Sequence, residues 1–113
     1  MSTDSASRFI GAKVSVRIDR PLGSKHPRWR FKYPVNYGFV SEVVGKDGEP
    51  IDAYVLGIDK PLKEFNGICI AVIHRFGDED KLVVAAEGCN YTNEQILKMT
   101  HFQEKYFKSI IIR

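Results

Sequence analysis

Along residues 12–19 the apolar positions Val14, Val16 and Ile18 alternate with Lys13, Ser15, Arg17 and Asp19, a period of two that predicts a strand with one buried face. The pattern stops at Pro21. The stretch RPLGSKHPRWRFKYP carries three prolines and a glycine, which predicts a long irregular loop, the kind of segment that often carries function. Strand patterns return at 37–44 and 51–58 on either side of Lys46-Asp47-Gly48, so Asp47-Gly48 is the expected hairpin turn. Two more apolar, β-branched runs, 67–74 and 82–86, flank the charged segment FGDEDK. About five strands in so short a chain predict a mainly β, α+β domain closed into a small twisted barrel rather than a parallel α/β sheet.

The chain end follows a different period. Thr92 and Gln95 form a capping-box pattern, and Ile96, Met99, Phe102, Gln103 and Tyr106 then recur at three- to four-residue spacing, predicting one helix over 93–107. Residues 110–112 are all isoleucine, too apolar for solvent, and are expected to pack back as a strand or to meet another subunit. Residues 1–8 are small and polar and read as a mobile tail, leaving 9–113 as a single domain.

Composition narrows the class. With 43% hydrophobic and 27% charged residues the sequence matches a water-soluble globular domain. No apolar run approaches the roughly 20 residues that cross a bilayer, and no secretory signal is visible, so a cytoplasmic location without membrane contact is expected. Cys69 and Cys89 lack zinc or C-x-x-C spacing and read as structural thiols. The net charge of +3 is mild, but its distribution is not even. Basic residues crowd between Arg17 and Lys32, where Asp19 is the only acid, whereas Asp47, Glu49 and Asp52 fall within six positions. One segment suits an anion and another a cation.

Three carboxylates at a turn entering a strand can hold a hard divalent ion, which prefers oxygen ligands and keeps several waters. Alone, Asp47, Glu49 and Asp52 fit a solvated hairpin better than a metal site, as does the second acidic turn, Asp78-Glu79-Asp80 before Lys81. Two such turns at one end of a barrel would repel each other unless cations lay between them. The loop carrying Arg20, Lys25, His26, Arg28, Arg30 and Lys32, with Tyr33 and Tyr37 beyond it, supplies donors suited to phosphate oxygens. His26, His74 and His101 lack the spacing of a catalytic zinc site.

These residues resemble a known family. YPVNYGFV (33–40) followed by DGEPIDAYVLG (47–57) is similar, in order and spacing, to the YP-x-NYG stretch and D-G-D-P-x-D metal loop of the soluble, family I inorganic pyrophosphatases. GICIAVIHRFGDEDKLVV resembles their strand, acidic turn, D-x-K and strand element, and HFQEKY their C-terminal H-F-x-E-x-Y. The likeness runs from Val14 to Tyr106 in a chain shorter than typical members. It implies an OB-like five-stranded barrel with a C-terminal helix and metal-dependent hydrolysis of inorganic pyrophosphate. Mg²⁺ is the implied cofactor, with Mn²⁺ as the alternative. Metal ligands are implied at Asp47, Glu49, Asp52, Asp78 and Glu79, with Glu49 and Asp52 catalytic. Lys25, Arg28, Tyr37, Lys81 and Tyr106 would bind substrate, and Asp19 resembles a family glutamate.

Three positions depart from the pattern. Glu49 stands where the family has an aspartate, and counting back from Lys81 puts Glu79 and His74 at two others, which predicts reduced turnover. The expected ligand is pyrophosphate or another small diphosphate, and the chain is expected to form a homo-oligomer. The competing expectation is a catalytically silent barrel binding phosphorylated ligands or single-stranded nucleic acid through Trp29, Phe31, Tyr33 and Tyr37 among the basic residues. The acidic turns fit only the first reading, so nucleic acid is not the expected partner.

Overall fold

The computed structural model describes residues 6–44 and 50–113. The expected Asp47-Gly48 turn, and with it Asp47 and Glu49, lies outside the described residues, as do residues 1–5. Among the described residues the elements are β1 (Lys13–Arg20), β2 (Asn36–Val44), β3 (Pro50–Val55), β4 (Glu64–Arg75), β5 (Lys81–Ala85), α1 (Asn93–Glu104) and β6 (Ser109–Ile112). Ordered structure begins before Phe9, because Ser7–Phe9 forms a 3-10 turn and Ala6 is buried in the core.

Strands β1, β2, β3, β5 and β4 pair in that order, and β1 pairs again with β4, which closes a five-stranded mixed barrel. All of these pairings are antiparallel except β3 with β5, where Ala53, Tyr54 and Val55 face Leu82, Val83 and Val84 in parallel. The long β4 makes closure possible by dividing its length between neighbours. Glu64 to Ile68 pair with β1, while Val72 to Arg75 pair with β6. The isoleucine run at the end of the chain therefore packs back as a strand. Ile111 and Ile112 are partly buried on opposite faces, and Ile110 stays half exposed.

Two apolar layers explain which strands read as continuous hydrophobic runs. Val14, Val16, Ile18, Val55, Leu82 and Val84 belong to one cluster, and Tyr54, Val83 and Ile73 join Ile96 of α1 in the other. Strand β5 has both layers against it and is buried at all five positions. In β4 the register shifts between Cys69 and Ala71, so Ile70 and Ala71 both join the helix-side cluster and Val72 returns to the other.

Helix α1 starts at the predicted capping box, where Thr92 Oγ1 accepts the Gln95 N–H and the Gln95 side chain accepts the Thr92 N–H. It ends at Glu104, three residues before the periodicity suggests. The chain must turn there for Lys108 to accept the Phe76 N–H and begin β6, and Phe107 goes under Arg75 instead of continuing the helix.

Candidate active site

The N-Y-G triplet of β2 has three physical roles. Asn36 is fully buried, and its side chain accepts the Leu22 and Leu62 N–H groups while donating to the Lys60 carbonyl, which pins two loops to the barrel. Gly38 lies so close to β1 that an added Cβ would sit 1.9 Å from the Arg17 carbonyl oxygen. Between them, Tyr37 donates to Asp52 Oδ2 at 3.0 Å. The same oxygen receives Lys81 Nζ at 2.9 Å, from the first residue of β5. Burial, and then the negative charge of Asp52, push the Tyr37 phenol far above its usual range, so it is a permanent donor at physiological pH.

These three side chains line a cleft of about 320 Å³. Arg20 and Arg75 add positive charge to its wall, Asp19 adds a second carboxylate, and Trp29 and Tyr33 supply an aromatic side. His26 is a structural member of this wall. Its Nδ1 accepts the N–H groups of Arg28 and Trp29, both at 3.0 Å, and its ring stacks on Trp29. Partial burial, then Arg20 and Arg28, hold its pKa below the usual imidazole value, which keeps it neutral at pH 7. Among the described residues the charged side chains lining the cleft are Arg20, Arg75 and Lys81 with Asp19 and Asp52, so cationic donors for an anion stand beside carboxylates.

Behind the cleft runs a buried polar network that periodicity does not reveal. Arg75 donates through Nε and Nη2 to the Glu104 carboxylate, the shortest contact being 2.6 Å, with both side chains only 5% exposed. Tyr54 donates to the same carboxylate at 2.7 Å and accepts from Gln103, which in turn accepts from the Tyr33 hydroxyl. The Arg75 guanidinium lies 3.8 Å over the Phe107 ring. Burial works against its charge, but the bonds to Glu104 outweigh that and raise its pKa. The network joins the basic loop, the barrel and α1 into one support under the cleft.

A family model described as inorganic pyrophosphatase matches residues 12–111. The chain belongs to the inorganic pyrophosphatase family. Among curated relatives, the inorganic pyrophosphatase of Corynebacterium efficiens is 30% identical over 97 residues, covering 75% of this chain and 60% of the relative. That of Streptomyces coelicolor is 41% identical over 46 residues, covering 41% of this chain and 24% of its own length. The chain thus spans less than two thirds of either relative. Among solved structures, the inorganic pyrophosphatase from Ehrlichia chaffeensis superposes with a TM-score of 0.67 at 15% identity, over 88% of this chain and 84% of its own. The Thermus thermophilus inorganic pyrophosphatase gives 0.62 at 18%, over 89% and 80%. At such identities these likenesses establish the shared OB-like barrel and nothing more.

Within this pyrophosphatase-family barrel, the residues singled out by sequence fall into three groups. Asp52, Tyr37 and Lys81 meet in the cleft, with Asp19 beside them. Lys25 and Arg28 are exposed on the loop and do not line the cleft, and Tyr106 stands at its edge with its ring 4.2 Å from Trp29. The second acidic turn does not line the cleft either. Asp78 accepts from Arg75 and from the Glu79 N–H, and Asp80 pairs with His74 at 2.8 Å.

Among the described residues no three His, Cys, Asp or Glu side chains group as a metal cage. Asp19 and Asp52 share the cleft, however, and both bonds to Asp52 described above fall on its Oδ2. Oxygen donors in this number fit a Mg²⁺ ion that keeps most of its waters rather than an all-protein cage. A larger concavity of about 780 Å³ between β1 and β4 is mainly apolar and gathers none of the candidate residues.

Proposed function

We propose that this chain hydrolyses inorganic pyrophosphate to two phosphates by in-line attack of water in the cleft around Asp52. The observation that carries the reading is the convergence of Lys81 and Tyr37 on one oxygen of Asp52, inside a cleft that Arg20 and Arg75 also line. Lys81 binds and neutralises the substrate's oxygens, which carry more charge than the single carboxylate that holds it at rest. Tyr37 adds a donor that cannot ionise, and Asp52 is positioned to orient the attacking water or take its proton. Lys25, Arg28 and Tyr106, on the loop and helix end beside the cleft, extend the donor set toward the outer phosphate.

Asp47, Glu49 and Asp52 would hold Mg²⁺, or Mn²⁺ in its place. When bound, such an ion acidifies water and offsets charge on the diphosphate. Turnover below that of a fully matched site follows from the added methylene at Glu49, since a misplacement of about 1 Å costs roughly a hundredfold. It follows also from His74, which sets an imidazole against Asp80 where the family pattern has an acid. The proposed setting is the cytosol. Self-association is part of the reading, supported by the exposed Phe76 and Ile110 at the β4–β6 end and checked by sedimentation velocity.

The deciding assay is phosphate release from pyrophosphate with Mg²⁺, with Mn²⁺ and with chelator. Asp52→Asn should lower turnover by at least about a hundredfold while the circular dichroism spectrum is retained. Parental turnover in Asp52→Asn would remove the basis of the assignment.

A further inference from the structure

The cation of the cleft with the most fixed position is one that the sequence patterns do not mark. Arg75 lines the cleft although only 4% of its surface is exposed. Its Nε and Nη2 are committed to Glu104, and Phe107 lies under its plane, so the guanidinium is clamped along one side. Its other arm, Nη1, meets Asp78 Oδ2 at 3.2 Å, longer than any of its bonds to Glu104. Asp78 is also the open partner, with 37% of its side chain exposed against 5% for Arg75 and for Glu104.

We infer that Arg75 is a further substrate-binding residue of this cleft, and that Asp78 is a resting counter-ion whose place on Nη1 is taken by a phosphate oxygen. The inference rests on the cleft being a diphosphate site and deepens that reading by adding a residue to it. A planar guanidinium with one arm anchored in the core and one arm on a half-exposed carboxylate is organised to exchange acids without moving backbone. Asp78 can leave at little cost, because its Oδ1 keeps the Glu79 N–H at 2.8 Å. Exposed pairs of this kind are weak compared with the enclosed Arg75–Glu104 pair, so the exchange takes place on the outer arm.

The surroundings of Asp78 agree with a position beside the cleft's cations. Burial tends to raise its pKa, but the Glu79 N–H, Arg75 and Lys81 outweigh that and hold it below the usual carboxylate value. Arg75 and Lys81 both line the cleft, so a negative charge at Asp78 weakens the field that an incoming anion meets. The acidic turn thereby opposes anion binding at rest.

The opposition gives an experiment with a sign. Trp29 is the only tryptophan and lines the cleft, so its fluorescence reports binding in the full chain. Pyrophosphate is titrated in the presence of chelator, so that no metal contributes. Asp78→Asn should tighten binding about threefold to tenfold, the range expected for releasing a half-exposed ion pair and removing one repulsive charge. Arg75→Lys, which keeps the charge but loses the fork, should weaken binding about tenfold, and Asp78→Asn added to it should restore little. An Asp78→Asn chain that binds pyrophosphate no more tightly than the parent overturns the inference while leaving the cleft assignment intact. A parent chain that binds no pyrophosphate at millimolar concentration, and releases no phosphate from it with Mg²⁺, overturns both.

Discussion

Replacing Glu104 by glutamine removes one charge and almost no volume from the support under the cleft. The carboxylate receives three contacts from Arg75, between 2.6 and 3.1 Å, and one from Tyr54 at 2.7 Å. With both partners only 5% exposed, the variant leaves a guanidinium in the interior whose remaining carboxylate, Asp78, is the half-exposed one. Breaking a buried pair by removing one member costs about 3–5 kcal/mol, because the surviving charge keeps its desolvation penalty and loses its partner. For a domain of this length about 1 kcal/mol corresponds to roughly 4 °C in Tm, so thermal unfolding should fall by about 12–20 °C. Urea unfolding should show the same loss as a lower midpoint at unchanged slope. The decisive comparison is the double variant Arg75→Met/Glu104→Leu. Removing both charges should recover stability to within about 2 kcal/mol of the parent, the shortfall coming largely from the Tyr54 hydroxyl left without its acceptor. A double variant as unstable as Glu104→Gln would refute the electrostatic account and point to packing instead.

Tyr37→Phe removes the donor to Asp52 and little else, and should lower turnover about tenfold at a stability cost of about 1 kcal/mol, read by phosphate release and urea melts on the same preparation. Gly38→Ala places a methyl group 1.9 Å from the Arg17 carbonyl oxygen, so β1 and β2 must part; a loss above about 3 kcal/mol, or failure to recover soluble protein, is expected. Burial pushes the Cys69 thiol up to about 11, while Cys89 is exposed. At pH 8 a thiol reagent should therefore modify one cysteine rapidly in the native chain and the second only on unfolding, and equal rates for both would contradict the burial of Cys69.

Much of the scaffold was legible because its signals are local. Alternation of apolar and polar residues marked β1 to within a residue at each end, and the Thr92–Gln95 capping box marked the start of α1. Strand β4 is longer than its apolar run, Glu64–Arg75 against 67–74, because its first residues are pinned by pairing with β1 while Glu64 and Asn66 stay exposed. Such positions carry no hydrophobic signal, only a partner far along the chain. Asp52, Tyr37 and Lys81 were found through the spacing of known motifs. The geometry adds a reason that spacing cannot supply, since all three meet at one oxygen.

The site's support was illegible for a physical reason. Arg75, Gln103 and Glu104 are types that ordinarily face water, and nothing within a few residues of each tells that it is buried. A buried charge is tolerable only with its partner, and that partner lies 29 residues away on another element. The same blindness affects the turn at Asp78-Glu79-Asp80. Read along the chain it is a cluster of like charges with no visible partner, but β4 delivers His74 and Arg75 just before it, and they contact Asp80 and Asp78. Partners for an acidic turn can come from its own strand, and here one of them, Arg75, couples the turn to the neighbouring cleft.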